Sequence, residues 1–412
     1  MTTVRRLMAT FAGALLLPLV LAVPAHTKGG DVWITVERAV AEPVLADLRA
    51  AGSDAALTVE GDGNVVVAHL SEADLPYLSQ RLHHDLGHCG GFIAHSSRQA
   101  ALDEAARANH REAPEVPQLA YTIDNGPVVE ALISDIQETN IRNTIISLSD
   151  FFTRFHNCDT GRQSARSIYE LWKGYAAGRS DVKINPFMHT GYNTKQPSVI
   201  LTIQGTALPS EVVVLGAHQD SISGFNCETS RAPGADDDGS GIASLSEVIR
   251  VAMAMGYRPL RTVKFMAYAA EEIGLRGSDE IAASYQAKDI DVVGVFQLDM
   301  TNYKGSDTDI WMIGDYTNAN QNTFVGKLVD TYLPGITRST TFCGYACSDH
   351  ASWSTRGYAA SFPFEASFNE YNPYIHSPQD TLDKSGNNAN HAIKFSRLAA
   401  AYMAELAKGT LP

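Results

Sequence analysis

The sequence predicts an α/β protein: a three-layer α/β/α sandwich around a central mixed, largely parallel sheet, preceded by a small α+β unit. Two patterns carry that expectation. From about residue 119 onward, apolar β-branched runs alternate with helix-patterned segments, as in a sheet covered on both faces. Upstream, HREAPEVPQ (residues 110–118) combines two prolines with mixed charge, which reads as a linker. The 412 residues, 44% apolar and 19% charged, can bury a large core.

At the N-terminus, Arg5 and Arg6 precede an apolar run from Leu7 to Val23, and Val23-Pro24-Ala25 offers small residues for cleavage. A positive region, an apolar run and a small-residue exit predict a secretory signal over residues 1–25. The run is short for a membrane span and is broken by Pro18. Export implies an oxidising compartment and a secreted protein. In residues 26–118, DVWITVER and NVVVAHL read as strands, and Val44–Ala51 and Ala100–Ala106 as helices. A small domain, an exposed linker and the odd Cys89 together predict a propeptide ahead of a main domain at 119–412. The other cysteines are Cys158, Cys227, Cys343 and Cys347. The CGYAC spacing suits a local disulfide, and Cys158 with Cys227 suits a second. Metal ligation by CGYAC is the competing reading, but no second cysteine pair is present to complete a thiolate site.

In the main domain, SVILTI (198–203), EVVVLGAH (211–218), TVKFMAYAA (262–270), VVGVFQLD (292–299) and DIWMIG (309–314) predict strands. Gly241–Met255 places Ile242, Leu245, Val248, Ile249 and Ala252 on one helical face and stops at Gly256. In such folds the ligand site gathers at the carboxyl ends of the strands. The strong strands here end in metal-ligand residue types: VVVLGA runs into His218-Gln219-Asp220, FMAYAA into Glu271-Glu272, and VFQL into Asp299. The loop before the helix adds Asp236-Asp237-Asp238, and His376 lies in the proline-marked loop EYNPYIHSPQDT. One acidic residue at a strand end is usually a cap or a solvated loop; this set is too dense for that.

Imidazole with carboxylate suits zinc. Two histidines and several carboxylates exceed what one open catalytic ion needs, and suit two ions about 3.5–4 Å apart sharing a bridging carboxylate. His218 and Asp299 would hold the first ion, Glu272 and His376 the second, with the bridge drawn from the triplet. Asp220 is placed to orient the His218 imidazole. Consecutive side chains in an extended segment diverge, so if Glu272 binds metal, Glu271 is free to act as general base. No H-E-x-x-H, G-x-S-x-G, phosphate-binding loop or dinucleotide fingerprint is present. A net charge of −14 argues against nucleic acid and anionic membrane as partners.

GAHQDS, APGADDDGSGIAS, FMAYAAEEIGLRGS, QLDMTNYKG, CGYACSDHASW and PFEASFNEYNPYIH occur in that order from about residue 119 to about 383. Together they resemble the secreted two-zinc leucyl aminopeptidases of bacteria, whose fold is the zinc-exopeptidase, phosphorylase/hydrolase-like sandwich. The resemblance implies two zinc ions per chain. It gives His218 and Asp299 to one ion, Glu272 and His376 to the other, and Asp237 as the bridge. It further implies Glu271 as base, Tyr345 as a stabiliser of the oxyanion, Asp238 beside the substrate amine across a cis Asp237–Asp238 peptide, and Cys343–Cys347 as a disulfide. An apolar pocket of Met300, Phe364, Phe368, Tyr371 and Ile375 would favour leucine-like side chains. The expected partner is a peptide with a free N-terminus, and a monomer is expected. Cysteines at positions 158 and 227 depart from such relatives; their joint presence supports pairing. The rival readings are a same-fold single-zinc glutaminyl cyclase or carboxypeptidase-like hydrolase, and a binding domain without metals. The last class should have lost ligands, and this chain keeps all five.

Overall fold

The computed structural model describes residues 30–50, 53, 56–58, 63–86, 91–95, 97–110 and 120–412. The expected signal peptide (1–25), the linker from residue 111 and Cys89 lie outside the described residues. No described helix is long and apolar enough to cross a membrane.

Strands β1 (Asp31–Glu37), β2 (Ala56–Thr58), β3 (Val65–Ser71) and β4 (Phe92–His95) form an antiparallel sheet in the order β2-β3-β1-β4. Alternation along β3 splits its side chains between two faces. Val66 and Ala68 join a core with Val44, Leu45 and Leu48 of α1 (Arg38–Ala50) and Leu78 and Leu82 of α2 (Leu75–Leu86). Val67 packs with Ala101 and Ala105 of α3 (Arg98–His110). The sequence reading began α1 at Val44; the helix starts at Arg38 and contains Pro43. It also missed β2, α2 and β4.

The main domain has a six-stranded sheet built from β5 (Val182–Phe187), β6 (Ser198–Ile203), β7 (Leu208–His218), β9 (Arg261–Tyr268), β10 (Asp291–Gln297) and β13 (Ala360–Ser361). Its order is β13-β10-β7-β9-β6-β5. The β13–β10, β10–β7 and β7–β9 pairs are parallel and the β9–β6 and β6–β5 pairs antiparallel, so the sheet is mixed and largely parallel, as expected. Val213, Leu215 and Ala217 of β7 and Val263, Phe265 and Ala267 of β9 face one core. That core is completed by α4 (Gly126–Ser134), α5 (Glu138–Ser149), α6 (Asp159–Tyr175), α7 (Gly239–Ala254), α9 (Ala319–Tyr332) and α11 (Ala392–Ala407). Val212, Val214, Met266 and Tyr268 face the other way, against Ile281 and Tyr285 of α8 (Arg276–Gln286) and Trp353 of α10 (His350–Thr355). Burial on both faces explains why these strands read as unbroken apolar runs.

DIWMIG departs from expectation. Its strand, β11 (Ile310–Ile313), pairs with β12 (Arg338–Thr341) and β14 (Pro363–Phe364) in a separate three-stranded sheet. A short apolar run carries no mark of which sheet it joins. The chain end is tied down by β15 (Gly409–Thr410), which pairs with β8 (Arg258–Pro259).

Phe265 is fully buried at the middle of β9. Truncation there forfeits transfer energy and leaves a cavity, so Phe265→Ala should lower stability by about 3–5 kcal/mol, as measured by urea unfolding followed through circular dichroism.

Candidate active site

The three adjacent parallel strands β10, β7 and β9 run in the same direction, so their carboxyl ends meet at one edge. His218 is the last residue of β7, Glu271 and Glu272 follow β9, and Asp299 follows β10. The β7–α7 loop brings Asp237, and the C-terminal loop brings His376. All six are buried. Non-glycine residues in the left-handed region sit at these turns: Ala270 (φ 57°), Leu275 (57°), Met300 (55°) and His376 (53°). Such backbone is sparsely populated and gathers where loops are held for function. The Asp237–Asp238 peptide is cis.

Asp237 occupies the middle. Its Oδ1 lies 3.0 Å from His218 Nε2, and its Oδ2 lies 2.9 Å from His376 Nε2. His218 Nε2 is 3.4 Å from Asp299 Oδ1, and His376 Nε2 is 3.2 Å from Glu272 Oε2. The five expected ligands therefore come together in two pairs, one on each oxygen of Asp237. Among the described residues, Glu271 Oε1 and Oε2 and Asp299 Oδ1 are buried without a hydrogen-bond partner, a costly condition for anions. Imidazole nitrogens and carboxylate oxygens with that unmet demand fit divalent zinc.

The electrostatics describe the same demand. Burial pushes Glu271 well above the usual carboxylate range, with Glu272, Asp349 and Asp299 adding to it. Burial and the neighbouring Asp237 raise Glu272 to about 7. Burial acts to lower His376, but Glu272 and Asp237 override it and push it up to about 10. Burial acts to raise Asp237, and the two imidazoles overcome it and hold the group below its ordinary value.

The surrounding residues brace these groups. Asp220 lies 3.5 Å from His218 Nδ1, a loose contact, while its oxygens accept the N–H groups of Glu271 (3.1 Å) and Glu272 (3.3 Å). It braces the Glu271-Glu272 turn more directly than the imidazole. Asp238 is engaged by the main chain. Its carboxylate caps α7 through Gly241 N (2.8 Å) and also accepts His218 N (3.0 Å) and Met300 N (3.2 Å). These main-chain donors engage both oxygens and hold Asp238 against the backbone of His218 and Met300. Asp236 accepts Asn302 N and Asn372 Nδ2, both at 3.0 Å.

Sequence reasoning missed other supports, Ser348 and Arg154 among them. Ser348 donates to Asp299 Oδ2 at 2.6 Å. Arg154 is fully buried and donates to the carbonyls of Gln219, Leu148, Pro233 and Gly234 at 2.5–3.2 Å. It thereby ties the loop of His218 to the loop of the aspartates. The available signal was one arginine in the apolar, aromatic stretch FFTRF.

Met300, Phe364, Phe368, Tyr371 and Ile375 fall in one apolar cluster with Tyr345, Cys347 and Phe362. A small pocket there reaches Asp299. Disulfides join Cys343 to Cys347 and Cys158 to Cys227. The N-terminal unit rests on the turn after the glutamate pair. Ser79 Oγ donates to the Glu272 carbonyl at 2.8 Å, Ala94 N to the Gly274 carbonyl at 3.1 Å, and Arg276 pairs with Glu72 at 2.6 Å. Ile93 packs with Leu275, Ala346 and Ala351.

The family model described as peptidase family M28 matches residues 198–403. Leucine aminopeptidase 1 of Arthroderma otae is 35% identical over 308 residues, covering 71% of this chain and 80% of that protein. The crystal structure of the LapA aminopeptidase of Legionella pneumophila superposes with a TM-score of 0.79 at 30% identity, covering 92% of this chain and 99% of that one. That coverage extends into the N-terminal unit. A glutaminyl cyclase of Bacteroides thetaiotaomicron matches with a TM-score of 0.52 at 15% identity, covering 65% of this chain and 97% of that one, which is likeness of fold alone. The chain belongs to peptidase family M28 and is an enzyme that hydrolyses peptide bonds.

Replacing Arg154 by Met would strand buried carbonyl oxygens and remove a cation from an acidic region. The expected loss is at least about 3 kcal/mol, read by chemical denaturation of the full chain.

Proposed function

We propose that this member of peptidase family M28 is a secreted two-zinc aminopeptidase, made as a zymogen, that removes leucine-like residues from peptides with a free N-terminus. The observation that carries the reading is the division of ligands across Asp237, with His218 and Asp299 toward one oxygen and Glu272 and His376 toward the other. His218, Asp237 and Asp299 would hold one zinc and Asp237, Glu272 and His376 the second. When bound, the ions supply Lewis acidity toward the scissile carbonyl and lower the pKa of water.

The chain's own residues perform the rest. Glu271 takes a proton from the attacking water and returns it to the leaving amine. Its buried, unpartnered carboxylate, set beside the ligands, suits that exchange. Tyr345, buried in the disulfide-closed loop, donates its hydroxyl to the developing oxyanion. The cluster of Met300, Phe364, Phe368, Tyr371 and Ile375 receives an aliphatic side chain and excludes water around it. The N-terminal unit, residues 26–118, restrains the enzyme until removed; its grip on the carbonyls of Glu272 and Gly274 supports that role. Two disulfides suit a protein working outside the cell.

Zinc content and release of free leucine from Leu-p-nitroanilide, measured before and after limited proteolysis of the N-terminal unit, test the reading. Two zinc ions per chain and a rise in activity on cleavage are expected. A full-length chain as active as the 119–412 fragment contradicts restraint, and cyclisation of N-terminal glutamine without leucine release favours the cyclase alternative. Glu271→Ala should keep its fold and both ions while kcat falls roughly 100- to 10,000-fold; near-normal turnover with full zinc content removes Glu271 as the base.

A further inference from the structure

The aspartate triplet and the loop of His376 meet through a residue that neither the sequence motifs nor the proposed chemistry uses. Asp380 lies four positions after His376 and is buried. Its backbone carbonyl accepts Ala235 N at 3.1 Å. Its carboxyl accepts Asp236 N at 3.2 Å (Oδ1) and 3.3 Å (Oδ2), and Asp237 N at 3.1 Å. Three successive main-chain N–H groups thus converge on one residue, a concave donor arrangement suited to an acidic group.

The other end of Asp380 is fixed as well. Its N–H donates to the carbonyl of Ser377, the neighbour of His376, at 3.2 Å. Asn372 Nδ2 donates both to Asp380 Oδ1 (3.2 Å) and to Asp236 Oδ2 (3.0 Å). Any buried loop must satisfy its N–H groups, and helix, sheet or side chains from elsewhere could do so. Here the acceptor belongs to the loop that carries His376, and one of the donors is the amide of Asp237 itself. By contrast, His218 and Asp299 are anchored without Asp380: His218 N by Asp238 Oδ2, and Asp299 Oδ2 by Ser348.

We propose that Asp380 is a positioning residue that clasps the backbone of Asp237 to the His376 loop and so sets the geometry of the Glu272–His376 metal site, leaving the His218–Asp299 site largely to its own anchors. The inference rests on the two-metal reading above. It makes the two sites separable: loss of the clasp loosens one and spares the other.

Asp380→Asn keeps the size of the side chain but turns one acceptor into a donor aimed at main-chain N–H groups. The full chain, stripped of metal by chelator, is titrated with cobalt(II) and followed by visible absorption, wild type against D380N. Wild type should take up two ions; in D380N the weaker ion should bind about 10- to 100-fold less tightly and the tighter one change by under about threefold, the range expected when a residue bracing a ligand is lost. In parallel, amide hydrogen exchange on the stripped proteins should accelerate at residues 235–237 in D380N and stay unchanged in β7 and β9. Equal weakening of both ions, or unchanged exchange at 235–237, overturns the proposal. If D380N does not fold, Asn372→Ala removes the donor that orients Asp380 Oδ1 and should give the same asymmetry on a smaller scale; symmetric weakening there overturns it too. A wild-type chain that takes up fewer than two ions defeats the two-metal reading, and the exchange measurement on stripped protein then decides the clasp alone.

Discussion

The contact of the buried Asp237 with two imidazoles is the interaction on which the rest of the site depends. A carboxylate in such a place is unfavourable unless positive charge reaches both of its oxygens. His218 and His376 do this from opposite sides, at 3.0 and 2.9 Å. Each imidazole in turn faces a further carboxylate, Asp299 or Glu272. The alternation of sign propagates outward, and because each side has anchors of its own, the two sides of Asp237 respond unequally when its backbone shifts.

The fold brings these charges together through strand direction. Parallel pairing of β10, β7 and β9 delivers three carboxyl ends to one edge, and a short turn beyond each end suffices to aim its ligand. The cost appears in the backbone, where Ala270, Met300 and His376 occupy the left-handed region beside the residues they present. Main-chain hydrogen bonds hold those turns. Asp220 accepts the amides of both glutamates, Asp238 accepts those of His218 and Met300, and Arg154 takes the carbonyls on the far side. Charged side chains aimed at backbone leave little room for the loops to shift.

This division explains how much of the molecule was legible in the sequence. Strands buried on both faces read as apolar runs, so β6, β7, β9 and β10 and the residues at their ends could be located directly. Asp237 and the four residues around it could be picked out because their types and positions suit one chemistry. The braces were not. Through their side chains Arg154, Ser348 and Asp380 reach partners as far as 80, 49 and 144 positions away, and nothing in local composition records such pairings. The amide partners of Asp238, at positions 218, 241 and 300, are likewise set by the fold and leave no mark in the triplet itself. DIWMIG carried a strand signal without a sheet address.

The N-terminal unit acts on this arrangement through backbone. Ser79 and Ala94 take the carbonyls of Glu272 and Gly274, within a turn that holds left-handed residues at 270, 274 and 275. A main-chain grip leaves the Glu271 and Glu272 side chains to the sheet edge, so the loop's course and its covering are separate features. The turn has internal support too, since Leu275 N and Gly274 N both donate to the Glu271 carbonyl, at 2.9 and 3.0 Å. Loss of the N-terminal unit would pass two carbonyls to water while those internal bonds and the Asp220 brace remain. The turn therefore takes its shape mainly from bonds inside the main domain, which is what the proposed release of the N-terminal unit requires.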